Sequence, residues 1–366
     1  MRGDKISRTQ LMALMWAGVM APAAELLPAL LLPGAGRGAW LAVVLAAPLV
    51  LATGWLMGSL AEERGLAGCV TELLGRWAGG AVLLIYMVWG LLLLMLRLKL
   101  CAQRMLSSGE RDGAPWFFLL TAAAVLLWIG RGRLSAFARA GQLFLLTLLV
   151  TGGVVLILSL FQASPERLFP LWHMEERGML RASLSAAGTV GWGLFAAFLI
   201  GGLEDQGERK SWHWLFWGLG GMVLLAAAQA VILGNLGAGL SARLDNPFFA
   251  LAKSVGVEGA FQRVESVVIA LWTFADLSMG GMLLFALRYI GAEILPERAV
   301  PWVPWVAVVL AAAGALLLLQ NPGDVQMWNQ RLAPMGNLCL GAAVPAALKL
   351  LKDIREKVIS CRRKAC

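Results

Sequence analysis

The sequence predicts an all-α membrane protein of about ten transmembrane helices in one domain, because three features together exclude a soluble fold. Composition is the first: 59% of the 366 residues are hydrophobic, 14% are charged and mean hydropathy is +0.74, where soluble domains run near half apolar and a quarter charged. A chain this apolar cannot cover a water-facing surface with polar groups. The second is length, since many apolar runs approach the ~20 residues needed to cross hydrocarbon. The third is aromatic usage. There are 16 Trp against 2 Tyr, and many of these Trp flank the apolar runs, where an amphipathic ring anchors at headgroup depth.

Taken in order, the first run is Gln10–Leu32, interrupted by Gly18, Pro22 and Pro28. Ala39–Leu60 follows. The stretch Ala61–Trp77 reads as a charged loop before the third run, Gly79–Ala102, which carries Tyr86, Arg97 and Lys99. Pro115–Gly130 is short. Phe137–Phe161 completes the first half. The second half opens with Leu184–Leu203, which contains Gly188, Gly191 and Gly193, then Leu215–Leu236. A long connection, Gly237–Arg263, predicts an amphipathic surface helix near Pro247–Val255. Val264–Ile290, Val303–Gln320 and Met327–Leu351 are the last three runs, followed by a basic tail. The expected organisation is one transmembrane domain, with repeat one over about 10–161, repeat two over about 184–351 and the tail at 352–366.

Taken together, the N-terminus, the loops after even-numbered spans and the tail Lys349–Lys364 carry more Lys and Arg than the loops after odd-numbered spans, mostly through the tail, which predicts both termini in the cytoplasm. Arg97, Lys99 and Arg104 run against that bias; Arg97 and Lys99 are read as snorkelling to the interface. The net charge of +9 is accounted for by topology and anionic lipid, so the bilayer and not nucleic acid is the expected partner. No cleavable leader is expected, because the run after Met1–Thr9 is too long and lacks a small-residue cleavage site. The five cysteines are odd in number, have no CxxC spacing and read as free thiols. Cys361 and Cys366 in the basic tail are candidates for acylation.

Gly- and Pro-interrupted runs at the first position of each half point to an inverted-repeat transporter architecture, with a binding site at two broken helices. Such breaks bare peptide groups that a polar ligand satisfies, and the half-helix N-terminus attracts a carboxylate. The candidates are Ala17, Gly18, Ala21 and Pro22 in span one, and Gly188, Thr189, Gly191 and Gly193 in span six. The competing reading is close helix packing, the ordinary use of membrane glycine. Glu25 and Asp276 are intramembrane carboxylates, each costing about 3 kcal/mol to insert. Two readings stand for them: a proton or cation site, or a neutral acid bonded to a backbone carbonyl. Tyr86 presents its hydroxyl either to the pocket or to a neighbouring carbonyl. Arg263 and Glu265 read as a local ion pair at the head of span eight. GxSxG, Walker A, HExxH and dinucleotide-loop motifs are absent, and the two histidines, His173 and His213, have no ligand spacing, so an enzyme, a cofactor and a metal are not expected.

Several segments together carry a family resemblance: Lys5-Ile6-Ser7-Arg8-Thr9-Gln10 before span one, Ala138-Arg139-Ala140, Leu168-Phe169-Pro170-Leu171 and Asn246-Pro247-Phe248. The most specific is Phe261-Gln262-Arg263-Val264-Glu265, followed by Trp272-Thr273-Phe274. The set resembles the spore germination permeases, the B subunits of germinant receptors in the amino acid–polyamine–organocation superfamily. The resemblance implies a leucine-transporter-like 5+5 inverted repeat with helices one and six broken, in which spans one and eight are neighbours and Glu25 and Asp276 come close. It implies a spore inner-membrane location beside receptor A and C subunits, and a small germinant such as an amino acid. The pocket would lie at spans one and six, with Tyr86 and Trp272 counted among its residues. Asp276 departs from the family pattern, which is apolar or glycine-rich there. An autonomous proton- or cation-coupled amino acid transporter, and a subunit with a vestigial pocket, are the alternative functions.

Overall fold

The computed structural model describes residues 4–61, 65–107, 114–169, 176–204, 210–244, 246–254 and 264–365; for 210–211, 264–269 and 359–365 only the backbone is described. The Arg263–Glu265 pairing and the whole Phe261–Glu265 element, read from sequence, lie outside the described side chains.

Ten helical crossings are present among the described residues. Eight stretches are long and apolar enough to span; the first, Arg8–Leu60, contains both α1 (Arg8–Ala35) and α2 (Ala39–Leu60), and the shorter α4 (Pro115–Arg131) completes the set. The others are α3 (Gly65–Ser107), α5 (Leu134–Leu160), α6 (Glu176–Val190) continued by a 3-10 segment Gly191–Gly202, α7 (Lys210–Ser241), α9 (Val264–Ile294) and α10 (Val303–Leu317). The last crossing joins α11 (Pro322–Met327), α12 (Ala333–Leu338) and α13 (Val344–Ala365) through the wider π-helical turns Trp328–Leu332 and Cys339–Ala343. The expected surface helix is α8 (Pro247–Ser254). It buries Phe248, Leu251 and Ala252, and Asn246 Oδ1 accepts from Phe249 N at 3.0 Å at its start.

Two expectations are corrected. The stretch 61–77 is not all loop, since α3 begins at Gly65. Its lead segment buries Leu66, Ala67 and Val70 and ends at Gly75, whose φ of 79° breaks the helix. More important, α1 is not broken. A capping box starts it: Gln10 N donates to Ser7 Oγ at 3.2 Å and Ser7 N to Gln10 Oε1 at 2.9 Å. It then runs helical through Pro22, Pro28 and Pro33 to a cap at Gly36. Each proline removes one donor from the carbonyl four residues back, and one missing bond does not unwind a helix whose neighbours supply replacements. For Ala24, whose donor is lost to Pro28, Gln229 Nε2 of α7 lies 3.5 Å from its carbonyl oxygen.

α1 is the central rod, packed by α5, α6, α7 and α9. Outward faces of α4, α5 and α10 expose large apolar side chains such as Phe117, Leu146, Ile157 and Val309, which only lipid accommodates. The N-terminal segment ties three helix ends on one face. Ile6 N donates to Gly202 O, and Glu204 N to Ile6 O, both at 3.0 Å. Asp4 accepts from the first two amides of α5, Leu134 N at 2.5 Å and Ser135 N at 3.0 Å. Partial burial pushes the Asp4 carboxyl up. Bonds from the Ser135 hydroxyl and from the Ser135 and Leu134 amides, with the Arg133 charge, outweigh burial and hold it below the usual carboxylate range.

Candidate functional site

Four charged side chains from three helices meet inside the bundle. Arg97 of α3 donates from Nη1 to Asp276 Oδ1 of α9 at 3.1 Å. Arg104, also on α3, pairs with Asp276 and, through Nη2 at 2.8 Å, with Glu25 of α1. The spacing of 97 and 104 places both arginines on one face of α3. Two acids and two guanidiniums sum to zero, the arrangement that makes buried charge tolerable. Asp276 is 1% exposed and Arg97 3%, whereas Glu25 is 24% exposed. Arg97 also lies over the Trp192 ring at 4.1 Å, so the cluster touches the start of the 3-10 segment.

Glu25, Arg97 and Arg104 of this cluster form part of the wall of a cavity. Pro22 and Glu25 enter it from α1, Arg97 and Arg104 from α3, and Thr189 and Trp192 from the α6 junction. The π turn Trp328–Leu332 closes it with Asn329 and Gln330, whose polar ends complete a mixed lining. Thr189 Oγ1 donates to Ser185 O at 2.8 Å, leaving its lone pairs for a donor in the cavity.

The sequence candidates therefore divide. Pro22, Glu25 and Thr189 line the polar cavity, and Asp276 pairs with Arg97 and Arg104 of its wall. Glu25 and Asp276 are indeed brought together, with Arg104 between them. The glycines take the packing reading. A Cβ on Gly188 would fall 2.3 Å from Pro334 O, one on Gly191 2.9 Å from Asn337 Cβ, one on Gly193 2.9 Å from Met15 Sδ and one on Gly18 3.0 Å from the Met279 backbone. Ala17 is buried. Gly191 and Gly193 border another cavity, of about 610 Å³, beside Trp16 and Trp214. Ala21 and Trp272 border an apolar cavity of their own. Tyr86 is fully buried and gives its hydroxyl to Leu340 O at 2.6 Å.

Sequence reasoning missed Arg97, Arg104 and Asn337 as site-building residues. Arg97 does not snorkel, because Asp276 offers an anion at its own depth. The signal available was two arginines seven residues apart, one inside a span and one just past its end, matched by two intramembrane acids. Asn337 joins three helices: its Oδ1 accepts from Trp89 Nε1 at 3.0 Å and its Nδ2 donates to Gly188 O at 3.1 Å, just before α6 narrows to 3-10. Cys69, Cys101 and Cys339 are not joined in disulfides, and no metal-type cluster occurs among the described residues.

Comparison with known proteins agrees with this architecture. The structure of MhsT in complex with L-phenylalanine is similar at TM-score 0.65 and 12% identity, covering 95% of this chain and 98% of that one. At that identity the likeness establishes the fold, which is leucine-transporter-like. A search of curated proteins finds no match. A profile described as spore germination protein matches residues 5–325. With that match running over most of its length, this integral, multi-pass membrane chain belongs to the spore germination protein family.

Proposed function

We propose that this chain is the ligand-binding membrane subunit of a germinant receptor and takes a small nutrient, an amino acid, into the polar cavity. It acts with receptor A and C subunits in the spore inner membrane, both termini cytoplasmic. One observation carries the reading: a cavity inside the bilayer whose wall holds a carboxylate, Glu25, beside two guanidiniums, Arg97 and Arg104. Those groups complement the two charged ends of an amino acid. A ligand carboxylate competes with partly exposed Glu25 for Arg104, and the released Glu25, with the Thr189 lone pairs, receives the ammonium. Family membership supports the germination role, and likeness to a chain solved with L-phenylalanine supports a ligand of that size.

An autonomous proton- or cation-coupled transporter needs a carboxylate free to titrate or to coordinate. Asp276 faces two guanidiniums and Glu25 one, which favours sensing. The two readings separate in proteoliposomes, where coupled uptake depends on a pH or cation gradient and is lost in Asp276→Asn.

A thermal-shift screen of the purified chain tests the proposal. One class of amino acid is expected to raise Tm, by about 2.7 kcal/mol of stabilisation at a hundredfold excess over Kd. Arg104→Gln should abolish the shift and Glu25→Gln weaken it. Spores carrying either variant should fail with that nutrient alone. Absence of stabilisation by every amino acid sinks the reading.

A further inference from the structure

A second cavity, open on one side, lies on the opposite side of α1, between α5, α7 and α9. Met20, Leu148, Leu156, Leu225 and Leu271 wall it. Gly152 and Gly153 of α5 leave one flank open, since a side chain on either would meet nothing within 4 Å. The residues around that flank, Leu149, Val150, Val154 and Val223, are exposed. The cavity thus opens sideways between α5 and α7 into hydrocarbon.

Only Thr151 and Trp272 bring polar side-chain groups to these walls. Trp272 is 4% exposed, packs edge-on against Phe248 of α8 at 5.0 Å and borders the cavity, yet its Nε1–H has no acceptor among the described residues. Buried indole N–H groups ordinarily find one. Depth suggests which. α9 has 31 residues, about 46 Å of helix against a hydrocarbon core of about 30 Å. Centred on the bilayer, α9 puts Trp272, about two turns from its start, within about 4 Å of the hydrocarbon boundary. That is where acyl esters lie.

We propose that this cavity holds one acyl chain of a phospholipid, drawn in between α5 and α7, with its ester carbonyl accepting from Trp272 Nε1. A polar solute is unsuited to apolar walls and to an opening that faces lipid. Met20, Ala21 and Ala24 of α1 touch this chain, while Val19, Pro22, Ala23 and Glu25 of the same helix face the polar cavity. The lipid thereby braces the helix that carries the proposed nutrient site, although the lipid site stands without that reading.

The test uses the purified full chain in nanodiscs containing phosphatidylcholine with a mid-chain diazirine, followed by photolysis and peptide mapping. Adducts are expected on 148–156 and Met20 in several-fold excess over the lipid-facing flank of α10 at Val306, Val309 and Leu310. Unlabelled diester lipid should compete better than its diether analogue, by roughly threefold to tenfold for one neutral hydrogen bond. Trp272→Phe should erase that preference, and Gly152→Leu should remove the adducts. Even labelling around the belt, meaning annular lipid only, overturns the proposal. Equal competition by diester and diether lipid on the unmodified chain overturns the ester contact, whether or not Trp272→Phe folds.

Discussion

Arg97 is buried in an apolar helix because Asp276 waits for it on α9. Removing one member of such a group leaves a desolvated charge behind, and the cost follows burial. Asp276→Asn strips Arg97 of its anion and should destabilise by about 3–5 kcal/mol. Glu25→Gln, at the wetter edge, should cost less than about 1 kcal/mol. Denaturant unfolding of the two variants in one detergent checks the order, and equal losses would refute the picture of a dry end and a wet end. Glu25, Asp276 and Arg97 were visible in the sequence as charges within apolar runs, and Arg104 as a charge just past the end of its run. Their pairing was not, because one sequence does not say which faces of α3 and α9 meet, and a lone Arg near a span end is as compatible with snorkelling.

At the scale of elements, the junction of α6 with its 3-10 segment is held from outside. Asn337 takes up the Gly188 carbonyl, and Pro334 presses its backbone against the Gly188 α-carbon. Gly188→Ala forces two backbones apart and should cost about 1–3 kcal/mol or more, whereas Gly220→Ala, where a Cβ meets nothing within 4 Å, should be silent in the same melt. The sequence singled out this glycine but left ligand exposure and packing undecided; only the partner helix distinguishes them. The N-terminal latch has its own dependence on acidity. Because the Asp4 carboxyl is held below its ordinary range, its contribution is present above that range and disappears as pH falls through the lowered value. Protection of the Leu134 and Ser135 amides, measured against their intrinsic exchange rates at each pH, should fall on that descent, and Asp4→Asn should flatten the response.

For the molecule as a whole, the number and order of crossings were legible because apolar run length reports directly on bilayer thickness. The α8 surface helix was legible for the same kind of reason, an amphipathic period after Asn246-Pro247. Helix continuity was not. Pro22 and Pro28 look like breaks until Gln229, on a helix distant in sequence, is seen beside the Ala24 carbonyl. The alternation of crossings makes a further expectation. Arg133, at the start of α5, shares the face of the N-terminal segment, while exposed Arg37 lies beyond the far end of α1, where it reaches the Phe169 carbonyl at 2.5 Å. In a cysteine-free background, Arg133→Cys and Arg37→Cys should therefore react with an impermeant thiol reagent from opposite sides of sealed vesicles; labelling from one side would overturn the crossing order.

The zero sum of Glu25, Asp276, Arg97 and Arg104 bears on voltage. A lone charge carried across a membrane held at 100 mV exchanges about 2.3 kcal/mol with the field. The quartet, shifted as one body, exchanges none. Whatever electrical work accompanies occupancy of the polar cavity is then set by the net charge of the solute, and a zwitterion enters or leaves without regard to the potential.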